Sequence, residues 1–161
     1  MRRKDREITD LHQIESIVMR CKTLRLAMCE GDMPYVVPMN FGYAFDGERF
    51  SFCLHSAKEG KKLEILRANP NVAFEMDVEN GLVEGPAACN YGCLYESVIG
   101  RGTIRFAEGP EEKKALLKRL MRQQTGREFD FTDPQVSAVE VLFVEVTELT
   151  AKARMPRQAG A

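Results

Sequence analysis

Residues 35–55 read YVVPMNFGYAFDGERFSFCLH, and this stretch decides the fold. From Tyr35 to Tyr43 the side chains alternate. Tyr35, Val37, Met39, Phe41 and Tyr43 share one face, and Val36, Pro38, Asn40 and Gly42 the other, which is the two-residue period of a strand. Pro38 has no N–H to give to a ladder, so the strand must run along an edge or carry a bulge there. Asp46-Gly47 is a strong hairpin turn. Arg49 to His55 then alternates again, with Phe50, Phe52 and Leu54 on one face and Ser51, Cys53 and His55 on the other. That second face is polar for a strand between hydrophobic neighbours, and is expected to look into a pocket or across an interface.

The same pattern repeats outward in both directions. Upstream, Asp10 and Gln13 form a capping box that opens a helix to about Cys21, with Leu11, Ile14, Ile17 and Val18 on one side. Thr23 to Cys29 alternates, and Glu30-Gly31-Asp32 turns the chain. Downstream, a short helix from about Gly60 is stopped by Pro70, and Asn71 to Asp77 is a further strand. Residues 78–94, rich in glycine and carrying Cys89 and Cys93, read as a long loop. Tyr95 to Phe106 is a strand interrupted by Gly100 and Gly102, which signals a bulge or a close approach. Pro110-Glu111-Glu112 starts a helix that Gly126 ends, Asp133-Pro134 marks a turn, and Val139 to about Ala153 is one long strand. The sum is six mostly antiparallel strands with a few short helices, an arrangement suited to a closed or partly closed barrel. One domain over residues 1–161 is expected, with a frayed tail from about Pro156.

Bulk properties narrow the function. The chain has 161 residues and a formal net charge of −1, so no global basic field exists to hold nucleic acid or an anionic membrane. No apolar run reaches the length of a bilayer span, and the charged N-terminus lacks the apolar segment of a secretory signal. Five cysteines, an odd number, fit reduced thiols in a cytoplasm. With two histidines, and three residues between Cys89 and Cys93, no metal site is expected. Walker loops, GxGxxG fingerprints and nucleophile elbows are absent.

The unusual chemistry lies at residues 55–62, HSAKEGKK. Lys58, Lys61 and Lys62 cluster where a helix begins, the positive end of its dipole and the unfavourable end for a cation. Two readings are open: solvated surface lysines, or an anion site in which helix N–H groups and ammonium groups converge on a phosphate. Ser56 and Gly60 favour the second, since a hydroxyl and a close-approach backbone suit phosphate. A lone histidine such as His55 is more often structural than catalytic, but its ordinary pKa near neutrality also suits proton relay.

Several of these segments together resemble a known family. Pro34 to Phe41, Phe52 to Ala57, Gly60-Lys61-Lys62, Asn69-Pro70, Tyr95 to Gly102 and Ala151 to Pro156 resemble the flavin-binding core of the pyridoxamine 5′-phosphate oxidase-like split barrels. Within that family the nitroimidazole-resistance (Nim-type) proteins are the most similar subgroup. The resemblance implies a mainly β, six-stranded antiparallel split barrel and a homodimer with FMN at the subunit interface. Carried over, Val37, Pro38, Met39 and Asn40 would line the flavin ring with backbone and side chain. His55, Ser56 and Ala57 would lie along the flavin tail, and Gly60, Lys61 and Lys62 would hold the phosphate. Tyr95, Ser97 and Arg154 would complete the pocket from the partner subunit.

Two departures matter. The chain has no tryptophan, whereas true pyridoxamine phosphate oxidases carry a tryptophan-containing signature near the C-terminus, so pyridoxal phosphate synthesis is not implied. Lys61 also stands where those enzymes place an arginine, and lysine holds phosphate as a point charge rather than a bidentate fork. The resemblance implies an FMN-dependent oxidoreductase acting on small nitro-aromatic or other electrophilic compounds, with His55 as the candidate proton relay. The alternatives are a flavin-binding protein for storage or sensing, or a split barrel that binds haem or a deazaflavin.

Overall fold

The alternation at residues 35–43 is present, but the chain changes partners in the middle of it. In the computed structural model, which describes residues 3–155, β3 (Met33–Met39) pairs with β2 (Leu24–Glu30), whereas β4 (Phe41–Phe45) pairs with β5 (Phe50–Ser56). Asn40 alone separates β3 from β4. The other strands are β1 (Glu7–Ile8), β6 (Asn71–Val83), β7 (Gly92–Phe106) and β8 (Glu140–Arg154). They form one antiparallel sheet in the order β3-β2-β6-β7-β8-β5-β4, with β1 added to β8. The two ends of this path, β3 and β4, are one residue apart in the chain, so the sheet has to curl on itself. It does not close: β3 and β4 do not pair. The architecture is the expected antiparallel split barrel. The expected count of six strands becomes eight because the second strand divides at Asn40 and because β1 was not anticipated.

The curl is packed from inside. Phe41, Phe52 and Phe74, from β4, β5 and β6, are fully buried and meet edge to face, at 5.7 Å between Phe41 and Phe52 and 5.0 Å between Phe52 and Phe74. Such contacts favour the T-shaped arrangement seen here. Helix α1 (Leu11–Arg20) covers one end of this core with Ile14, Ile17 and Val18. The Asp10 carboxylate caps it by accepting from the His12 and Gln13 N–H groups, at 2.8 and 3.2 Å. Pro38 sits on β3, an edge strand, as a missing donor requires.

Three sequence expectations need correction. The face shared by Ser51, Cys53 and His55 does not look into one pocket. Helix α3 (Gly109–Thr125) lies over it, burying Cys53 completely, and the Cys53 thiol donates to the Leu116 carbonyl at 3.2 Å. The close approach is possible because Gly42 has no side chain; a Cβ there would stand 2.5 Å from the Leu120 backbone nitrogen. Second, residues 78–94 are mostly a hairpin. β6 runs to Val83 and β7 starts at Gly92, with a register shift between Glu79 and Leu82. Third, Asp133-Pro134 opens a short helix, α4 (Asp133–Ser137), in which Thr132 and Gln135 form a capping box. The bulge expected near Gly100 and Gly102 is present, as a register shift against β8 between Arg101 and Gly102. Pro156 and the rest of the expected frayed tail lie outside the described residues.

Candidate functional site

β5 ends at Ser56, a turn follows, and α2 (Lys61–Ala68) begins directly after Gly60. Leu63, Ile65 and Leu66 of α2 are buried in the main core, so the helix start is fixed relative to β5. Asn69 caps the other end, ahead of Pro70. An open cleft of about 690 Å³ lies over this junction. Its floor is His55, Ser56 and Ala57. Tyr35 and Val37 of β3 wall one side, Ala138 and Val139 the other, and Glu59, Gly60, Lys61 and Lys62 close the end.

The helix start has the properties of an anion cradle. Gly60 is the N-cap, at φ 129°, and no side chain caps the first turn. A Cβ on Gly60 would meet nothing within 4 Å, so the backbone there is open to the cleft. The carbonyl of Gly60 accepts from Leu63 and Glu64, leaving the earlier N–H groups directed outward at the positive end of the dipole.

The two lysines differ. Lys61 is exposed and engaged: its ammonium lies 2.7 Å from Glu30 Oε2 and 5.4 Å from the centre of the Tyr35 ring. Glu30 raises its pKa, first through that hydrogen bond and then through charge. Lys62 is half-buried, and burial alone pushes its pKa down. His55 keeps part of its ring in solvent, yet burial of the remainder, followed by the charge of Lys62, lowers its pKa as well. Glu59 also lines the cleft, but Lys62 makes no ion pair among the described residues, so its partly buried charge is the one that a bound anion would meet. Lys58 is exposed and does not line it.

The remaining expected residues are elsewhere. Met39 points into the core at 7% exposure. The Asn40 carboxamide donates to the Lys22 carbonyl at 3.2 Å and to Gln124 Oε1 at 3.1 Å, tying the β3–β4 bend to α3. Pro38 lies on the outer face of the sheet edge. Pro38, Met39 and Asn40 do not line the cleft.

Tyr95, Ser97 and Arg154 cluster on the outer face of β7 and β8. Ser97 pairs with Lys152, whereas His55 pairs with Val141. Along β8 the two pairs are eleven residues apart, roughly 35 Å of strand. Arg6 donates to the Tyr95 hydroxyl at 3.5 Å, and Lys152 lies 5.5 Å from the centre of its ring. Those cations lower the Tyr95 pKa, Arg6 first. Ser97 is 7% exposed, and its buried hydroxyl has no hydrogen-bond partner among the described residues. Within one chain these groups do not reach the cleft.

Sequence reasoning did not anticipate Glu30 as the partner of Lys61, nor Tyr35, Ala138 and Val139 as cleft walls. Glu30 and Lys61 are joined only by tertiary structure, so no local signal would have revealed them. Among the described residues no group of three or more His, Cys, Asp or Glu converges as a metal site requires, and no helix is long and apolar enough to cross a membrane.

The pyridoxamine 5′-phosphate oxidase family model matches residues 10–153, nearly the whole described chain. The chain belongs to this family. Among solved structures, a candidate 5-nitroimidazole antibiotic resistance protein of Bacteroides thetaiotaomicron is 37% identical, with a TM-score of 0.80 over 91% of this chain and 86% of that one. A FAD and heme binding protein of Mycobacterium smegmatis shares the fold at 17% identity, with a TM-score of 0.79 over 97% of this chain and 77% of that one. An uncharacterized protein of Rhizobium meliloti (strain 1021) is 33% identical over 64 residues, covering 40% of this chain and 39% of that relative's length. Within the oxidase family, the similarity at 37% identity falls where the Nim-type resemblance pointed.

Proposed function

We propose that this protein is an FMN-dependent oxidoreductase that reduces small nitro-aromatic or other electrophilic compounds. The observation that carries the reading is the uncapped start of α2, where Lys62 is half-buried beside His55 and held below its ordinary pKa by burial alone. A terminal phosphate would supply the missing charge, with the first-turn N–H groups, Gly60 and Lys62 as donors. Family membership supports a flavin over other phosphate-bearing ligands, and the similarity to a candidate nitroimidazole-resistance protein supports nitro compounds as substrates.

Bound there, FMN supplies the electron-carrying chemistry. The chain's own residues bind and orient. Tyr35 and Val37 form an apolar and aromatic wall for a planar group. The backbone of Pro38 to Asn40 leads away from it toward the sheet edge. Burial, then the charge of Lys62, lowers the His55 pKa and so favours its neutral form, which can accept a proton at the free imidazole nitrogen. We place the active form as a homodimer. Tyr95, Ser97 and Arg154 sit too far from their own cleft, and the Ser97 hydroxyl, which has no partner among the described residues, is suited to a group brought by a second copy or its ligand. All five cysteines are free, which suits the cytoplasm.

The visible spectrum of the purified protein, with released cofactor identified by mass, tests the cofactor. Oxidation of NADH or NADPH coupled to a nitro substrate tests turnover. A colourless protein that does not quench added FMN refutes the reading. A yellow protein without turnover reduces it to a flavin-binding protein, and a flavin-loaded monomer in light scattering removes the dimer.

A further inference from the structure

Lys61 and Lys62 are neighbours in sequence, but successive residues of a helix point about 100° apart. Lys62 turns inward, toward His55. Lys61 turns toward the β2–β3 hairpin. There Glu30, the last residue of β2, is held by the turn at Gly31, whose φ of 62° is a left-handed value suited to glycine. The Glu30 carboxylate reaches Lys61 at 2.7 Å, the Tyr35 ring lies under the ammonium, and Glu64 stands one helical turn away. Of the two lysines lining the cleft, one is thus already neutralised by the protein.

We propose that Glu30 is a specificity-determining residue: by occupying Lys61, it limits the anionic charge that the cleft accepts to that of a single phosphate. This rests on the reading of the cleft as a flavin-phosphate site. Lys62 and the start of α2 remain to meet one phosphate. A diphosphate, as in FAD, would call on a second ammonium and would have to draw Lys61 away from Glu30. Free Lys61 would lie at the same cleft end, next to Gly60, so removing the carboxylate changes the charge of the site without reshaping its walls.

Binding of riboflavin, FMN and FAD is measured by fluorescence quenching for the wild type, Glu30→Gln, Lys61→Met and the double variant. Melting temperatures in inorganic phosphate and in pyrophosphate are recorded for the same four proteins. Riboflavin has no phosphate and reports the ring alone. Glu30→Gln is expected to strengthen FMN about two- to fivefold relative to riboflavin, the scale of one exposed ion pair, and to strengthen FAD more than FMN. Pyrophosphate should protect Glu30→Gln more than it protects the wild type. Each gain should vanish when Lys61 is also Met. Unchanged ratios in Glu30→Gln, or a gain that survives the loss of Lys61, would overturn the proposal while leaving wild-type flavin binding intact. If the wild type binds no flavin, the flavin reading falls. The phosphate and pyrophosphate arm then decides Glu30 by itself: a larger pyrophosphate effect in Glu30→Gln supports the proposal, and equal protection overturns it.

Discussion

Replacing Lys62 by Met, compared with replacing Lys61 by Met, separates an anion cradle from a patch of surface lysines. Lys62 forms no ion pair among the described residues, although Glu59 lines the same cleft, so a phosphate would be its direct counter-charge. A hydrogen bond to a charged group contributes about 1.5–3 kcal/mol, and the part-exposure of Lys62 argues for the lower end, about 1.5–2 kcal/mol. At about 1.4 kcal/mol per factor of ten, Lys62→Met should weaken FMN roughly 10- to 30-fold. Riboflavin, lacking the phosphate, should bind Lys62→Met as it binds the wild type. Lys61→Met should change either ligand little, because Glu30 already holds that ammonium. A pH dependence follows. A bound anion favours the charged form of Lys62 and lifts its lowered pKa, so binding takes up protons. FMN affinity therefore falls as pH rises through the range between the lowered value and the ordinary 10.5, and this part of the dependence is lost in Lys62→Met. Fluorescence-quench titrations at stepped pH, with circular dichroism to confirm folding, measure all of this. An effect of Lys61→Met equal to or larger than that of Lys62→Met would refute the assignment.

Further outcomes are expected. Burial lowers the His55 pKa below 6.5, so the unfolded chain binds that proton first; stability should rise with pH up to about 6.5, and urea melts of His55→Gln should lack that slope. Gly42→Val should destabilise by about 1–3 kcal/mol in chemical denaturation, because the new side chain meets the backbone of Leu120 rather than a movable side-chain tip. A native mutant at wild-type stability would show that α3 does not pack where described. With a thiol reagent, the exposed Cys29, Cys89 and Cys93 should react in the folded protein, whereas Cys21 and Cys53, pushed up to about 11 by burial, should react only on unfolding. Five equally fast thiols would contradict that burial.

The parts of the fold legible in the sequence are those with local causes. Pro38 marks an edge because it lacks a donor. Gly100 and Gly102 mark a tight crossing, and a Cβ at Gly100 would indeed meet Phe74 and the Glu148 carbonyl. Gly126 ends α3 in the left-handed conformation, at φ 72°. What escaped detection has no local cause. Side-chain alternation continues unbroken through Asn40, so periodicity alone does not reveal that the strand changes partners there. Glycine and proline between residues 78 and 94 give the composition of a loop, while the pairing of Leu82 with Cys93 is a matter of register. The Ser51–Cys53–His55 face was identified correctly as a face, but what covers it depends on where α3 docks. Gly42 was the available hint, since a glycine in a buried strand often admits a close neighbour. At the candidate site, the cluster of lysines was visible in the sequence, but the pairing of Lys61 with Glu30 was not, because Glu30 arrives from a different hairpin.

The position of the cleft follows from the topology. Tyr35 and Val37 belong to β3, one end of the sheet path, whereas His55 and Ser56 belong to β5 and Val139 leads into β8, at the other end. The cleft lies where β3 parts from the end of β5, beside the split between β3 and β4. A closed barrel would fill that gap with ladder hydrogen bonds; here the edge is left open, and an open edge presents unpaired backbone groups. Asn40 joins the two ends through one residue of chain, and its bonds to Lys22 and Gln124 fix that junction to the chain just ahead of β2 and to α3. A helix that starts at the gap then adds the positive end of its dipole. A ligand that is flat at one end and anionic at the other can meet both edges and the helix start at once. The same sheet without the split would offer only a surface, and for that reason the split, more than any single residue, makes this fold able to hold such a ligand.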